Sequence, residues 1–253
     1  MRKILLIFGT RPEAIKMAPL FIELRESFNV RVCVTGQHRL MLDQVLNLFE
    51  ITPDYDLDIM KSGQDLFDVT SKVLYGIKGV ISDFEPNLIL LHGDTTTTMA
   101  ASIAAFYLKI PTAHIEAGLR TYDINSPFPE EFNRQIVTKT VELHFAPTEQ
   151  ARQNLLNERI QENKIYLTGN TVIDALFSVV KKARLVSFTS DSLEKLPFLC
   201  HDKTALPRII LVTGHRRENF GRGFEEICQA LLDISNLHSD VESQTIQQPV
   251  CGH

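Results

Sequence analysis

Residues 88–120 read LILLHGDTTTTMAASIAAFYLKIPTAHIEAGLR. The stretch holds one complete strand–helix–strand unit. Leu88–His92 is a short apolar run that stops at Gly93, and Thr112–Ile115 is a second, entered through Pro111. Between them Thr96–Leu108 is rich in Ala and long enough for three turns of helix. With His92, Asp94 and four threonines inside it, the segment is too polar for a membrane span. Buried strands joined by one helix pair in parallel with a right-handed crossover. Glu116 follows directly on one strand, and Asp94 follows the other after Gly93. If those strands are neighbours, both carboxylates stand at one carboxyl edge, which is where open α/β sheets bind ligands.

The same alternation extends in both directions. Strands are expected at Lys3–Phe8, Val30–Thr35, Leu143–Ala146 and Ile165–Leu167. Helices are expected at Pro12–Glu26, His38–Phe49, Leu66–Phe84, Glu130–Thr140 and Glu149–Asn157. Runs of Ile, Val and Leu separated by amphipathic stretches describe a buried parallel sheet flanked by helices. A Rossmann-like, doubly wound domain is therefore expected over residues 1–168. Past Gly169 the pattern thins. Helix Thr171–Lys182, a polar stretch Leu185–Pro207, strand Arg208–Val212, loop Thr213–Gly221 and helix Gly223–Ser235 make only part of a second α/β domain, 169–253. From about Val241 the chain has no clean period of either kind, and it reads as interrupted.

The composition narrows the function. A chain of 253 residues with 44% hydrophobic content buries a substantial core. A net charge of -5 matches nucleic acid and anionic lipid poorly. A phosphorylated ligand must then be held by a few placed cations. Cys33, Cys200, Cys228 and Cys251 lie far apart with no C-x-x-C, so neither a disulfide framework nor a zinc site is expected. The opening MRKILLIFG is followed by no cleavage site of small residues, so a cytoplasmic, soluble protein is expected.

Polar residues collect after the expected strands. Gly9-Thr10-Arg11-Pro12-Glu13-Ala14-Ile15-Lys16 places Pro12 at a helix start, with Arg11 and Lys16 near the helix N-terminus. That group suits a diphosphate. Its glycine spacing is not that of a Walker loop, and no G-x-G-x-x-G follows the first strand, so nicotinamide is not expected. Gln37 and His38 read as a plain turn. Asp94 alone would read as an N-cap. Glu116 has no such explanation, because it comes straight off an apolar strand. Glu130 and Arg134 lie four apart on one helix face, where they can pair. His215 lies in Thr213-Gly214-His215-Arg216-Arg217-Glu218-Asn219. Carboxylates, a histidine and cations at one cleft edge suit acid–base chemistry on a phosphorylated small molecule.

Seven motifs carry a family resemblance: GTRPEAIKMAP at 9–19, TGQH at 35–38, HGDTTTT at 92–98, HIEAGLRT at 114–121, PEEFNR at 129–134, LTGNTVIDAL at 167–176 and TGHRREN at 213–219. Together they resemble the non-hydrolysing UDP-N-acetylglucosamine 2-epimerases of bacteria, from the start of the chain to about Asp240. The resemblance implies two Rossmann-like domains of the glycosyltransferase-B type, the second incomplete here. It implies interconversion of UDP-N-acetylglucosamine and UDP-N-acetylmannosamine by loss and re-addition of UDP, serving a surface polysaccharide. By resemblance Asp94, Glu116, Glu130 and His215 are the acid–base candidates. Arg11, Lys16 and Arg134 serve the diphosphate and cleft. Gln37 and His38 match a motif near a second, regulatory nucleotide-sugar site in some members. A UDP-sugar partner, no cofactor or metal, and a homodimer in full-length relatives are likewise implied. The P-V-H-x-N-P, S-G-G-x-Q-E-E and R-x-x-T-E-R-P-E segments of the family do not occur, so weak or absent turnover is expected. The competing readings are a hydrolysing epimerase, a glycosyltransferase of the same architecture, and a fragment that only binds a nucleotide sugar.

Overall fold

The computed structural model describes residues 1–36, 39–59, 61, 63–184, 208–213, 222–238 and 241–246. The chain divides into two compact units, Met1–Ala183 and Arg184–His253.

The first unit is built on seven parallel strands: β1 (Lys3–Phe8), β2 (Asn29–Val34), β3 (Tyr55–Asp56), β4 (Leu88–His92), β5 (Thr112–Ile115), β6 (Leu143–Ala146) and β7 (Ile165–Leu167). Their order across the sheet is β3-β2-β1-β4-β5-β6-β7. The order reverses beside β1, where β1 pairs with both β2 and β4. Ile4–Phe8 of β1 and Leu88–Leu91 of β4 are apolar without a break because both faces of the sheet are covered. One face packs α1 (Arg11–Leu24) and α2 (Arg39–Leu48) through Ala14, Met17, Leu42 and Val45 onto Leu6, Phe8 and Leu90. The other packs α3 (Leu66–Phe84) and α4 (Thr96–Tyr107) through Val73, Ile77, Ala101 and Ala105 onto Leu5, Ile7, Ile89 and Leu91. Three further helices, α5 (Glu130–Thr140), α6 (Glu149–Asn157) and α7 (Val172–Ala183), complete the unit.

Two details position the site. Strands β4 and β5 are neighbours, with His92 opposite Ile115. The turn after β5 can pass close under α6 only because residue 118 is glycine. Its φ is +88°, and a Cβ there would lie 2.2 Å from the Ala151 carbonyl oxygen.

The second unit contains β8 (Arg208–Thr213), α8 (Arg222–Leu237) and β9 (Val241–Ile246), with β8 and β9 parallel. The α/β class is therefore as expected. The tail is not: residues from Val241 form a strand where no period was read. Its polar sequence carries no alternation signal, and pairing to β8 defines it instead. Strand β3 was also missed, being two residues at the sheet edge. Arg11, not Pro12, opens α1, behind the N-cap Thr10. The division expected at Gly169 and the division by compactness differ by α7, which packs against α1 and anchors Lys182 on Glu50 at 2.8 Å. The stretch Leu185–Pro207 and the loop after Thr213 lie outside the described residues.

Candidate active site

The site is assembled from loops at the carboxyl edge of β1, β4, β5 and β7. At the start of α1, Thr10 and Glu13 form a reciprocal capping box. Glu13 Oε2 accepts from the Gly9 N–H at 2.9 Å, the Thr10 N–H at 2.7 Å and the Thr10 hydroxyl at 2.9 Å. Its Oε1 accepts from the hydroxyls of Thr95 at 2.7 Å and Thr98 at 3.1 Å. A side chain 3% exposed thus ties the β1–α1 loop to the β4–α4 loop. The T-x-x-E spacing was the only sequence signal for Glu13, and it speaks of a helix start rather than of a second loop.

Asp94 is not the cap of α4. Thr95 takes that role, its hydroxyl accepting from the Thr98 N–H at 3.2 Å. Asp94 is left free for other work. Its Oδ2 accepts from Arg134 Nη2 at 2.6 Å, and its backbone carbonyl accepts from Asn133 Nδ2 at 2.9 Å. Arg134 also lies 3.3 Å from Glu131. The pairing expected between Glu130 and Arg134 is therefore replaced. Arg134 turns to Asp94, brought in by tertiary packing, and to the fully buried Glu131, which no sequence reading singled out. Glu131 further accepts from the Thr121 and Tyr122 N–H groups. Glu130 sits half-buried at the first position of α5.

Burial pushes the Asp94 carboxyl above its ordinary value. The Arg134 charge opposes this, and the carboxylates of Glu130, Glu116 and Glu13 add to it. Glu116 and Glu130 are accordingly within electrostatic reach of Asp94.

Glu116 stands on a left-handed backbone, φ 65°, rare for a non-glycine residue with a long side chain. Its Oε2 accepts from Lys16 Nζ at 2.5 Å and Asn170 Nδ2 at 2.8 Å. Lys16 is itself held from behind, its carbonyl accepting from the Thr171 hydroxyl at 2.6 Å. Asn170, from the turn after β7, is another member the sequence reading missed. Arg11 is partly exposed at the first residue of α1. Gln37, His38 and His215 lie outside the described residues. Among the described residues no group of three His, Cys, Asp or Glu side chains could hold a metal ion. No described helix is long and apolar enough to cross a membrane. An apolar groove of about 720 Å³ between α1 and strands β4–β6 is lined by no carboxylate and offers no acid–base chemistry.

A profile of the UDP-N-acetylglucosamine 2-epimerases matches residues 22–245. The chain belongs to this family. The match runs past Asp240, where the resemblance was expected to fade. The chain is 56% identical over 243 residues to a UDP-N-acetylglucosamine 2-epimerase of Yersinia pestis, covering 95% of this chain and 64% of that one. Among solved structures it is similar to the Neisseria meningitidis UDP-GlcNAc 2-epimerase bound to UDP-GlcNAc, at 47% identity and TM-score 0.84, covering 98% of this chain and 67% of that one. It is also similar to the Methanocaldococcus jannaschii enzyme in complex with UDP-GlcNAc and UDP, at 32% identity and TM-score 0.78, covering 98% of this chain and 66% of that one. The chain thus spans 64% of the length of the curated family member from Yersinia pestis.

Proposed function

We propose that the site described here is the N-terminal half of the catalytic machinery that interconverts UDP-N-acetylglucosamine and UDP-N-acetylmannosamine. The observation that carries the reading is the convergence of Asp94 and Glu116 at one sheet edge, each engaged by a cation, Arg134 and Lys16. The family's solved members with UDP-GlcNAc bound support the choice of ligand.

In the proposed reaction a carboxylate removes the C2 proton of the sugar, whose electrons form a C1–C2 double bond as the C1–O bond breaks. UDP leaves with that bonding pair, stabilised by cations. An oxygen of UDP then attacks C1, and C2 takes a proton on its opposite face. Asp94, whose carboxyl is pushed upward by burial, is the first candidate for the proton carrier. Glu116 and Glu130 are the further candidates on the described edge, and His215 is a candidate from the second unit. Lys16, Arg11 and Arg134 serve the diphosphate. We place the enzyme in the cytoplasm, in supply of an activated sugar for polysaccharide synthesis, and as a homodimer in its full-length form.

The test is incubation with UDP-N-acetylglucosamine in heavy water, followed by NMR. Deuterium at C2 together with UDP-N-acetylmannosamine supports the reading. Free N-acetylmannosamine would assign the hydrolysing reaction instead. Transfer to an added acceptor sugar would assign a glycosyltransferase. Absence of exchange in the 253-residue chain, with exchange by a full-length relative, would leave a binding role.

A further inference from the structure

His92 closes β4 with its side chain 3% exposed. Alternation along the strand puts it on the side of Leu88 and Leu90, the face covered by α1. Neither ring nitrogen has a hydrogen-bond partner among the described residues. That is costly, because a buried donor has given up its water without gaining a protein acceptor. The contrast with His114, on the next strand, is direct. His114 Nε2 donates to the Gly93 carbonyl at 2.7 Å. His92 Nε2 instead stops 3.9 Å from Glu116 Oε2, short of a hydrogen bond. That oxygen is already occupied by Lys16 and Asn170.

The charged and titratable groups around this contact are few: Lys16 and Glu13 from α1, Asp94 after β4, His114 from β5 and Glu116 just after it. Burial, and then the Lys16 charge, push His92 down to about 3, so the ring is neutral and its approach to Glu116 is no ion pair. A neutral imidazole carries one N–H donor.

We propose that His92 is a positioning residue for Glu116: when a ligand's diphosphate draws Lys16 away, the His92 N–H closes onto the vacated Glu116 oxygen and keeps the carboxylate aimed. This rests on the reading that the site takes a nucleoside diphosphate sugar. It explains why a donor is held unpaired beneath an occupied carboxylate. It also gives the site two alternative partners for one oxygen, a cation in the empty state and a neutral donor in the filled one. A carboxylate handed from ammonium to imidazole exchanges a charged donor for a neutral one while keeping its orientation.

The experiment uses the 253-residue chain labelled with 15N at histidine, with UDP as probe. The Nε2–H resonance of His92 is assigned by its loss in His92→Gln. It is expected to move downfield on saturation with UDP. In Lys16→Met, which keeps the apolar stem, it is expected at the shifted position with no nucleotide present. Adding Glu116→Ala to that variant should return it. If other resonances respond to UDP while His92 stays still, the proposal is overturned and the nucleotide reading survives. If nothing responds to UDP, the nucleotide reading fails for this chain, and Lys16→Met alone decides: an unmoved His92 overturns the proposal, and a shifted one upholds the exchange of partners.

Discussion

Replacing Glu13 should cost more than its place at a helix start suggests. A lost cap costs about 0.5–2 kcal/mol. Glu13, however, accepts five hydrogen bonds, two of them from the N–H groups of Gly9 and Thr10. In Glu13→Ala those two donors lose their acceptor, and the Gly9 N–H is buried. At roughly 1–3 kcal/mol for each of the two stranded donors, the expected loss is about 2–6 kcal/mol. Glu13→Gln keeps the shape. Its carbonyl can face the two N–H groups and its amide the hydroxyls of Thr95 and Thr98, which rotate to accept. Only the charge assistance is lost, at about 1–2 kcal/mol. Urea unfolding followed by Tyr fluorescence, with amide exchange at Gly9 and Thr10, reads both quantities. The expected order is Ala far below Gln, and Gln below the parent. Exchange at those two amides should quicken at least tenfold in Ala, since about 1.4 kcal/mol is one decade. An alanine variant within about 0.5 kcal/mol of the parent, the range of an ordinary surface change, would refute the bridging role.

Three more outcomes are expected. Gly118→Ala drives a Cβ to 2.2 Å from a backbone oxygen and should abolish folding of the first unit, whereas Gly93→Ala, with φ +69° but open space, should cost about 1 kcal/mol; far-UV circular dichroism and melting separate them. His114 is neutral in the folded state down to about 3 and ordinarily titrates at 6.5, so the unfolded chain binds the extra proton and stability falls as pH drops through that window. His114→Gln should flatten the slope of stability against pH by about 1.4 kcal/mol per unit, read from urea midpoints between pH 6 and 4. Asp94→Asn and Glu116→Gln should each lower C2 proton exchange by at least about a hundredfold in a full-length relative, while UDP affinity falls less.

The central strands were readable because each is buried on both faces and therefore mostly apolar. Three helices, α3, α5 and α6, run between the very residues expected from the sequence. Glu116 stood out as a candidate because a carboxylate straight off an apolar strand is conspicuous, and Asp94 joined it because their strands are neighbours. What escaped was decided by tertiary contact. Glu13 and Thr95 are 82 positions apart, and Glu116 and Asn170 54 apart, so no local spacing announces either contact. The local rule even misdirected Arg134, whose partner four residues back lost to Asp94. In β9 the side chains say little and the backbone pairing says everything.

Glu116 occupies a backbone conformation that glycine or asparagine would adopt at less cost. Holding a glutamate there stores about 1–3 kcal/mol of strain. Selection for thermostability alone would therefore pull position 116 toward glycine and discard the carboxylate on the way. Glycine there would also forfeit the contacts to Lys16 and Asn170, and a stabilised variant of this chain that keeps Glu116 must find its gain elsewhere.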